Sequence, residues 1–289
     1  MDNLRGAIIM VFSMLGFAFE DMFIKLMGDD IPIGQILFLL GLGGAICFGL
    51  VVRIKAQPLL ERSMLTRPIM LRALGEIVGT LGFVSAIVLT PISSASAILQ
   101  ATPLAVTLGA ALFLGDPVGW RRWSAILVGL FGVLLIIRPG MASFEALSLL
   151  AVVGVIGLSM RDLATRRVPK HTSSFQLSFL AFLALVPTGV LHMFATDTFF
   201  VPMTVLQCAY MVSALSIGMI AYYGIVAAMR VGEISFVTPF RYSRLLFAIV
   251  IGIMVFGERP DLLTYVGAAI IVASGMYTVW RERKVKDIA

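Results

Sequence analysis

Residues 93–117 read SSASAILQATPLAVTLGAALFLGDP, and residues 235–259 read SFVTPFRYSRLLFAIVIGIMVFGER. A shift of 142 positions, from 93 to 235, lays the first stretch on the second. Under that shift Gly115-Asp116 falls on Gly257-Glu258, and each pair closes a long apolar run. The two stretches therefore look like the same membrane-embedded element used twice.

A second repeated motif lies nearer the N-terminus of each half. GFAFEDMFIK (16–25) matches GLSMRDLATR (157–166) at a shift of 141 positions, with Asp21 on Asp162. Halves built alike in an apolar chain are a sequence signature of secondary transporters. The sequence therefore predicts two repeats, residues 1–140 and residues 141–289.

The composition is that of a membrane protein. Hydrophobic residues make up 60% of the 289 residues and charged residues 13%, whereas soluble domains carry about 25% charged residues. A transmembrane helix needs about 20 apolar residues, and the runs between charges and turn residues give ten such stretches, called spans 1 to 10 below. The predicted spans are 6–26, 33–52, 69–90, 93–114, 121–138, 144–165, 174–194, 205–228, 234–256 and 261–280. The predicted fold is an all-α polytopic membrane protein with ten transmembrane helices.

The positions of the basic residues predict the orientation. With the N-terminus in the cytoplasm, the external loops contain only Lys25, Arg138 and Arg259, and the other loop Lys and Arg residues lie inside. This asymmetry favours cytoplasmic termini. Five spans per repeat then make the second repeat inverted relative to the first. The net charge of +6 is thus a topology signal and not a nucleic-acid signal, and we expect a location in a bacterial cytoplasmic (inner) membrane.

The paired closings LFLGDP (112–117) and MVFGERP (254–260) resemble those of the drug/metabolite transporter superfamily, specifically of EamA-type two-repeat transporters. The motifs SASAILQATP (94–103), AYYGIVAAMRVGEISFVTPFRYS (221–243) and GAAIIVASG (267–275) add to the resemblance. The first half departs from the usual Gly-Glu by having Asp116. The resemblance implies a central cavity between the halves, alternating access, spans 1, 3, 4, 6, 8 and 9 around that cavity, and peripheral spans 5 and 10.

Ionisable residues within a span are costly and are therefore functional candidates. In span 1, Phe17 and Glu20 share one helical face, and Glu20 is either a cavity residue or an outer-end carboxylate in water. Asp21 points away from that face and is expected to meet Lys25 one turn later. Span 3 carries Arg72 and Glu76 at a spacing of four residues, in the weaker order for an ion pair.

Other polar residues in the spans have two readings each. Arg161 either snorkels to the membrane interface, the favoured reading, or lines the cavity. Gln100 aligns with Tyr242 across the repeat, and these groups either bind solute or satisfy backbone groups freed by a proline. Of Tyr222 and Tyr223 in span 8, one is expected to face lipid or packing.

Span 9 carries two arginines on one face. At about 1.5 Å per residue, Arg244 lies near the middle of a hydrocarbon core about 30 Å thick. Arg241 and Arg244 must therefore meet carboxylates such as Glu76 or Glu20, or an anionic group of the solute. The predicted solute site comprises Phe17, Glu20, Glu76, Gln100, Arg161, Tyr222, Arg241, Tyr242 and Arg244.

Two other classes of function compete with transport. A membrane-embedded enzyme would need a reactive constellation, and the sequence has no HExxH motif, no GxSxG motif and no Cys/His pair within a span. A non-transporting membrane partner would not need polar residues inside its spans. Without a nucleotide-binding P-loop, or any metal or cofactor motif, we expect a secondary transporter of a small organic metabolite, coupled to protons or working by exchange. Lipid surrounds such a chain, and the sequence is compatible with a homodimer.

Overall fold

The protein is a bundle of helices. The computed structural model describes residues 3–60, 66–115, 119–139, 145–169, 172–231 and 234–286, and within these ranges there is no β-strand. The α-helices are α1 Asn3–Met27, α2 Ile33–Ile54, α3 Arg67–Leu89, α4 Ile92–Leu99, α5 Thr102–Gly109, α6 Trp120–Ile137, α7 Leu149–Thr165, α8 Ser174–Ala195, α9 Val205–Val231, α10 Ile234–Val237, α11 Ser243–Phe256 and α12 Leu262–Lys286.

The lengths and apolarity of these helices confirm a polytopic membrane protein. In the part of the chain that the structure describes, nine helical segments are long and apolar enough to cross a membrane, and Trp123–Ile137 is a shorter apolar helix. That shorter helix lies within α6 and corresponds to span 5. The helix bounds follow the predicted spans closely because a span is a local run of apolar residues.

Spans 4 and 9 are not continuous helices. Span 4 is divided into α4 and α5 around Gln100, and α5 continues into a π-helical turn at Ala110–Leu114. Span 9 is divided into α10 and α11 by the 3₁₀ segment Thr238–Tyr242. Each break contains or precedes a proline, which lacks a backbone N–H and disrupts the helix around it. Because Gln100 aligns with Tyr242, the two interruptions fall at equivalent positions of the two halves.

Glycines bring α3 and α7 into close contact. A Cβ atom at Gly75 would come within 2.5 Å of the Arg161 nitrogen, and one at Gly82 within 2.7 Å of the Gly154 nitrogen. Gly157 faces the backbone of Gly79 between these points. Small residues let two helix backbones approach closely in a membrane protein. The glycines at 75, 79 and 82 therefore allow α3 to pack closely against α7.

The carboxylate of the second Gly-Glu pair caps the broken span of the first half. Gly257 ends α11 in the left-handed conformation, with φ of 65°, and this turn directs Glu258 towards the start of α4. Glu258 accepts hydrogen bonds from the Ile92 nitrogen at 2.6 Å, the Ser93 nitrogen at 3.1 Å and the Ser93 hydroxyl at 2.6 Å. A carboxylate there satisfies free N–H groups and complements the helix dipole. Asp116, its counterpart in the first half, lies outside the described residues.

Candidate functional site

Charged side chains collect inside the apolar bundle. They belong to α1, α3, α7, the 3₁₀ segment and α11, which are parts of spans 1, 3, 6 and 9. The carboxylates are Glu20, Asp21, Glu76 and Asp162, and the guanidinium groups are Arg72, Arg161, Arg241 and Arg244. Positive and negative groups are therefore equal in number, and their partners determine what the site can bind.

Asp21 and Arg244 form a two-pronged ion pair between α1 and α11. Arg244 Nη2 lies 2.8 Å from Asp21 Oδ1 and 2.7 Å from Oδ2, and Nε lies 3.1 Å from Oδ2. The guanidinium carbon also lies 5.1 Å from the ring centre of Phe17 and 5.3 Å from that of Phe83. Such planar, bidentate and aromatic contacts suit arginine and not lysine. Of the two predicted partners for Arg244, a protein carboxylate or an anionic group of the solute, the structure shows the carboxylate. The charge of Arg244 is already matched inside the protein.

Two predicted partners are wrong as a result. Arg244 meets Asp21 and not Glu20 or Glu76, and Asp21 does not pair with Lys25. Lys25 Nζ instead donates to the Ile87 carbonyl at 2.9 Å and the Thr90 carbonyl at 2.6 Å. The prediction failed because helical spacing considers neighbours on one helix, whereas Arg244 approaches Asp21 from α11.

Glu76 lies between two arginines. Arg161 Nη1 is 3.3 Å from Glu76 Oε1, and Arg72 Nη2 is 3.9 Å from Oε2. Arg161 also holds Asp162 Oδ1 at 2.8 Å from its Nη2, while Arg72 Nη1 donates to the Leu177 carbonyl at 3.0 Å. These four side chains, called the Glu76 network below, join α3 to α7 and contain two carboxylates and two guanidinium groups.

The favoured reading of Arg161 is thereby corrected. Its side chain is 26% exposed and points across the glycine contact to Glu76, so it does not snorkel to the interface. The close approach of α3 and α7 explains this, because Gly75 lies directly against the Arg161 backbone. A long side chain leaving that point reaches a carboxylate on the neighbouring helix before it reaches water.

Arg241 and Glu20 are the charges that remain. Within the described ranges, neither side chain makes a hydrogen bond or an ion pair. Arg241 is exposed, and Arg161, Asp162 and Arg244 are the charged groups that act on it. Glu20 is partly exposed, and its carboxyl group packs against Gly218 of α9, where a Cβ atom would lie 2.6 Å from the carboxyl carbon.

The polar side chains at the two helix breaks, Gln100 and Tyr242, are both buried. Gln100 is buried, and its Nε2 donates to the Arg241 carbonyl at 3.3 Å. Gln100 therefore satisfies a backbone group at the break, the second of its two predicted roles. Tyr242 is 6% exposed, and its ring packs against Gly275 of α12. The 3₁₀ turn thus places Tyr242 against α12, and its place in the solute site stays a prediction.

Tyr222 packs inside the protein, and Tyr223 does not. The Ser178 hydroxyl donates to the Tyr222 hydroxyl oxygen at 2.9 Å, and the Phe48 ring lies 5.6 Å away. Tyr223 is 68% exposed on the outer surface of α9. The structure thus decides which tyrosine faces protein, and it places Tyr222 in the packing of α2, α8 and α9.

Sequence reasoning missed two contributors to this region. Asp21 was set aside by its helical face, although its alignment with Asp162 across the repeat was a usable signal. Gly218 gave no signal, because a glycine in an apolar span has many structural roles. Its contact with Glu20 depends on how α1 packs against α9, which is the main partner of α1.

Comparison with known proteins gives a consistent result. Residues 4–138 match the EamA-like transporter family. A riboflavin transporter of Vibrio cholerae is 30% identical over 195 residues, which cover 67% of this chain and 65% of that protein. An S-adenosylmethionine uptake transporter of Rickettsia bellii is 25% identical over 68% of this chain and 66% of its own length. These two matches span just under two thirds of each relative.

Other matches cover nearly the whole chain. The pseudopaline exporter CntI of Pseudomonas aeruginosa is 26% identical over 93% of this chain and 94% of that protein. A solved crystal structure superposes with a TM-score of 0.64 at 17% identity, covering 97% of this chain and 98% of its own, and it shows the fold alone. These relatives carry the names of transporters of small metabolites and not of enzymes. The chain is therefore similar to the EamA-like transporter family, and residues 4–138 carry that match.

Proposed function

We propose that the protein is a secondary transporter that moves a small organic solute across a membrane by alternating access. The observation that carries the proposal is Arg241, an exposed arginine in the break of span 9 whose side chain makes no hydrogen bond or ion pair among the described residues. A charge in that position is costly and is explained if a solute group occupies the space beside it. The similarity of residues 4–138 to the EamA-like transporter family supports the same reading.

The helix packing supports an inverted-repeat mechanism with halves 1–140 and 141–289. The main contacts are α1 with α9, α3 with α7, α2 with α8, and α6 with α12. When each span is exchanged for the equivalent span of the other half, the α1–α9 pair becomes the α7–α3 pair. The α2–α8 pair and the α6–α12 pair each map onto themselves. Transporters of this kind bind solute between the repeats and expose it alternately by moving one part against the other.

Flux measurement tests the proposal. The purified chain, reconstituted in liposomes, is given radiolabelled S-adenosylmethionine and, separately, riboflavin, the solutes named for two of its relatives. We expect uptake of at least one of them without chemical change. Arg241→Gln should abolish that uptake, and Arg53→Gln, at an exposed position at the end of α2, should not. Recovery of a chemically altered product would indicate an enzyme instead.

The same liposomes distinguish the two modes of coupling. A proton gradient that drives accumulation indicates proton coupling, whereas uptake that depends on unlabelled solute inside indicates exchange. Neutral variants of Glu20 and Glu76 test whether carboxylates carry the coupling. If both variants transport at the wild-type rate at every pH, the two carboxylates are structural.

We further propose that the protein lies in a bacterial inner membrane with both termini in the cytoplasm. The uneven distribution of loop Lys and Arg residues supports this orientation. A reporter enzyme that is active only in the periplasm, fused after Ala289, should stay inactive. Strong reporter activity would show that the C-terminus lies in the periplasm and that the proposed orientation is wrong.

A further inference from the structure

We infer that Glu258 and Lys25 form a latch that closes one end of the bundle, and that solute passes this end only after Glu258 leaves the start of α4. The inference rests on the proposed function, because it assigns to named residues the closure that alternating access requires. It is carried by the contacts of these two side chains with the corner between α3 and α4, residues 87–93. Glu258, Lys25 and that corner are called the Glu258 latch below.

Glu258 joins the two halves of the chain. Its carboxylate accepts hydrogen bonds from the Ile92 nitrogen, the Ser93 nitrogen and the Ser93 hydroxyl at 2.6 to 3.1 Å. A residue of the second half thus holds the first turn of a helix of the first half. The carboxylate also lies directly on Gly252, where a Cβ atom would come within 2.5 Å of Oε2. Its position is therefore set by α11, and α4 separates from α11 only by giving up these hydrogen bonds.

Lys25 holds the same corner from α1. Its Nζ donates to the Ile87 carbonyl at 2.9 Å and the Thr90 carbonyl at 2.6 Å, at the end of α3. It also lies 5.4 Å from the ring centre of Phe256, the last residue of α11, and Glu258 is one of the carboxylates whose charge acts on it. The Glu258 latch therefore connects α1, α3, α4 and α11. These helices belong to spans 1, 3, 4 and 9, four of the six that the resemblance places around the cavity.

Burial along span 4 shows that the latched end is closed. Every residue of α4 except Ser94 is buried, whereas in α5, beyond the break, only Leu104 and Gly109 are buried. Ser96, one helical turn after Ser93, is 1% exposed, and its hydroxyl has no hydrogen-bond partner among the described residues. A buried hydroxyl without a partner is costly, and water would satisfy this one if the latched end opened. Ser96 is therefore a position that reports on opening.

The contacts of the Glu258 latch can be exchanged for water. Its hydrogen bonds end on backbone groups at the end of α3 and the start of α4, which lack partners within their own helices. Glu258 is only partly buried, so water can reach both sides of these bonds once the corner separates. The pair of Asp21 and Arg244 differs, because breaking it would leave a buried charge without a partner. The Glu258 latch is therefore a contact that can open and close repeatedly.

Chemical labelling of a thiol in α4 tests the inference without any solute. The probe is Ser96→Cys in a chain that also carries Cys47→Ala and Cys208→Ala, and the reagent is a positively charged methanethiosulfonate, which reacts with thiols that contact water. The purified full chain in detergent exposes both ends of the bundle to the reagent, so the result does not depend on orientation in a membrane. We expect slow labelling with the Glu258 latch intact. Labelling should be at least tenfold faster after Glu258→Ala and at least threefold faster after Lys25→Met.

Further variants make the result specific to the Glu258 latch. Gly252→Ala keeps the carboxylate of Glu258 but displaces it from α4, and it should also speed labelling. Asp261→Ala is the matched control, because Asp261 accepts hydrogen bonds from the Thr264 nitrogen at 3.0 Å and hydroxyl at 2.9 Å in the first turn of its own helix, α12; it should leave the rate unchanged. Each variant must elute as a monodisperse peak, so that unfolding is not mistaken for opening. If Glu258→Ala does not stay folded, Glu258→Gln, which keeps one accepting oxygen, takes its place.

Three results would overturn the inference. They are labelling of Ser96→Cys as fast as in the unfolded chain with the Glu258 latch intact, equal rates with and without the Glu258 carboxylate, or the same acceleration by Asp261→Ala. Each of them leaves the transport proposal intact, because flux is measured separately. Faster labelling after Glu258→Ala in a protein that shows no flux would remove transport and leave the Glu258 latch in place.

Discussion

The ion pair between α1 and α11 gives a sharp test of the interior. Asp21→Asn keeps the size of the side chain and removes its charge, so that Arg244 loses its counter-charge. Asp21 is 2% exposed, and the Arg244 side chain is 17% exposed. Water can therefore replace the lost carboxylate only in part, and the variant should be less stable than the wild type.

The expected loss follows from the contacts that remain. Removing one partner of a buried ion pair costs about 3 to 5 kcal/mol. The stacking of Arg244 on Phe17 and Phe83 survives the change, and one amide oxygen can still accept a hydrogen bond, which favours the lower value of about 3 kcal/mol. With about 2 °C of midpoint shift per kcal/mol for a chain of this size, the unfolding midpoint should fall by about 6 °C.

A double-mutant cycle separates pairing from simple loss of polarity. Arg244→Met leaves Asp21 buried without a partner and should cost at least as much as Asp21→Asn. The double variant Asp21→Asn with Arg244→Met contains no unpaired charge, and it should regain about 2 kcal/mol or more relative to the sum of the single losses. The unfolding midpoint of each of the three variants is measured by heating the protein in detergent. Size-exclusion chromatography then gives the fraction that remains monodisperse at each temperature.

Additivity would refute this reasoning. If the double variant loses as much stability as the two single variants together, the side chains do not interact in the folded protein. An Asp21→Asn midpoint equal to that of the wild type would lead to the same conclusion. Either result would also remove Arg244 from the set of internally matched charges and make it a second candidate for solute binding.

Further predictions concern helix packing and backbone satisfaction. Gly157→Ala should greatly reduce the yield of folded protein, because its Cβ atom would overlap the α3 backbone. The control Gly119→Ala should not, because a Cβ atom there meets nothing within 4 Å. Equal yields would contradict the close α3–α7 contact. Glu258→Ala removes three hydrogen bonds from the start of α4 and should cost about 2 kcal/mol, measured as a lower unfolding midpoint. The Gln35 amide lies 2.9 Å from both the N–H nitrogen and the carbonyl oxygen of Val201. Gln35→Leu leaves these two groups without partners and should lower the free energy of unfolding by about 2 to 4 kcal/mol. An unchanged unfolding midpoint would mean that water binds both groups.

The sequence alone determined the membrane architecture. Each span is a continuous apolar run, and hydropathy is a local property, so α2 at Ile33–Ile54 and α8 at Ser174–Ala195 lie almost where they were predicted. The spacing of Gly75, Gly79 and Gly82 is also a local property, and it places these glycines on one face of α3. The prolines near Gln100 and Tyr242 marked the two breaks, because the cost of proline in a helix is also local.

Only the tertiary structure decided which charges meet. Asp21 and Arg244 are 223 positions apart in the chain, and no spacing rule along one helix relates them. The choice between Glu20 and Asp21 as the partner of Arg244 depends on the rotation of α1 against α11, which packing of the whole bundle sets. The same packing turns Tyr242 towards α12 and leaves Arg241 exposed. An interior charge is costly wherever the sequence places it, but its partner is fixed by distances between helices, and these exist only in the folded protein.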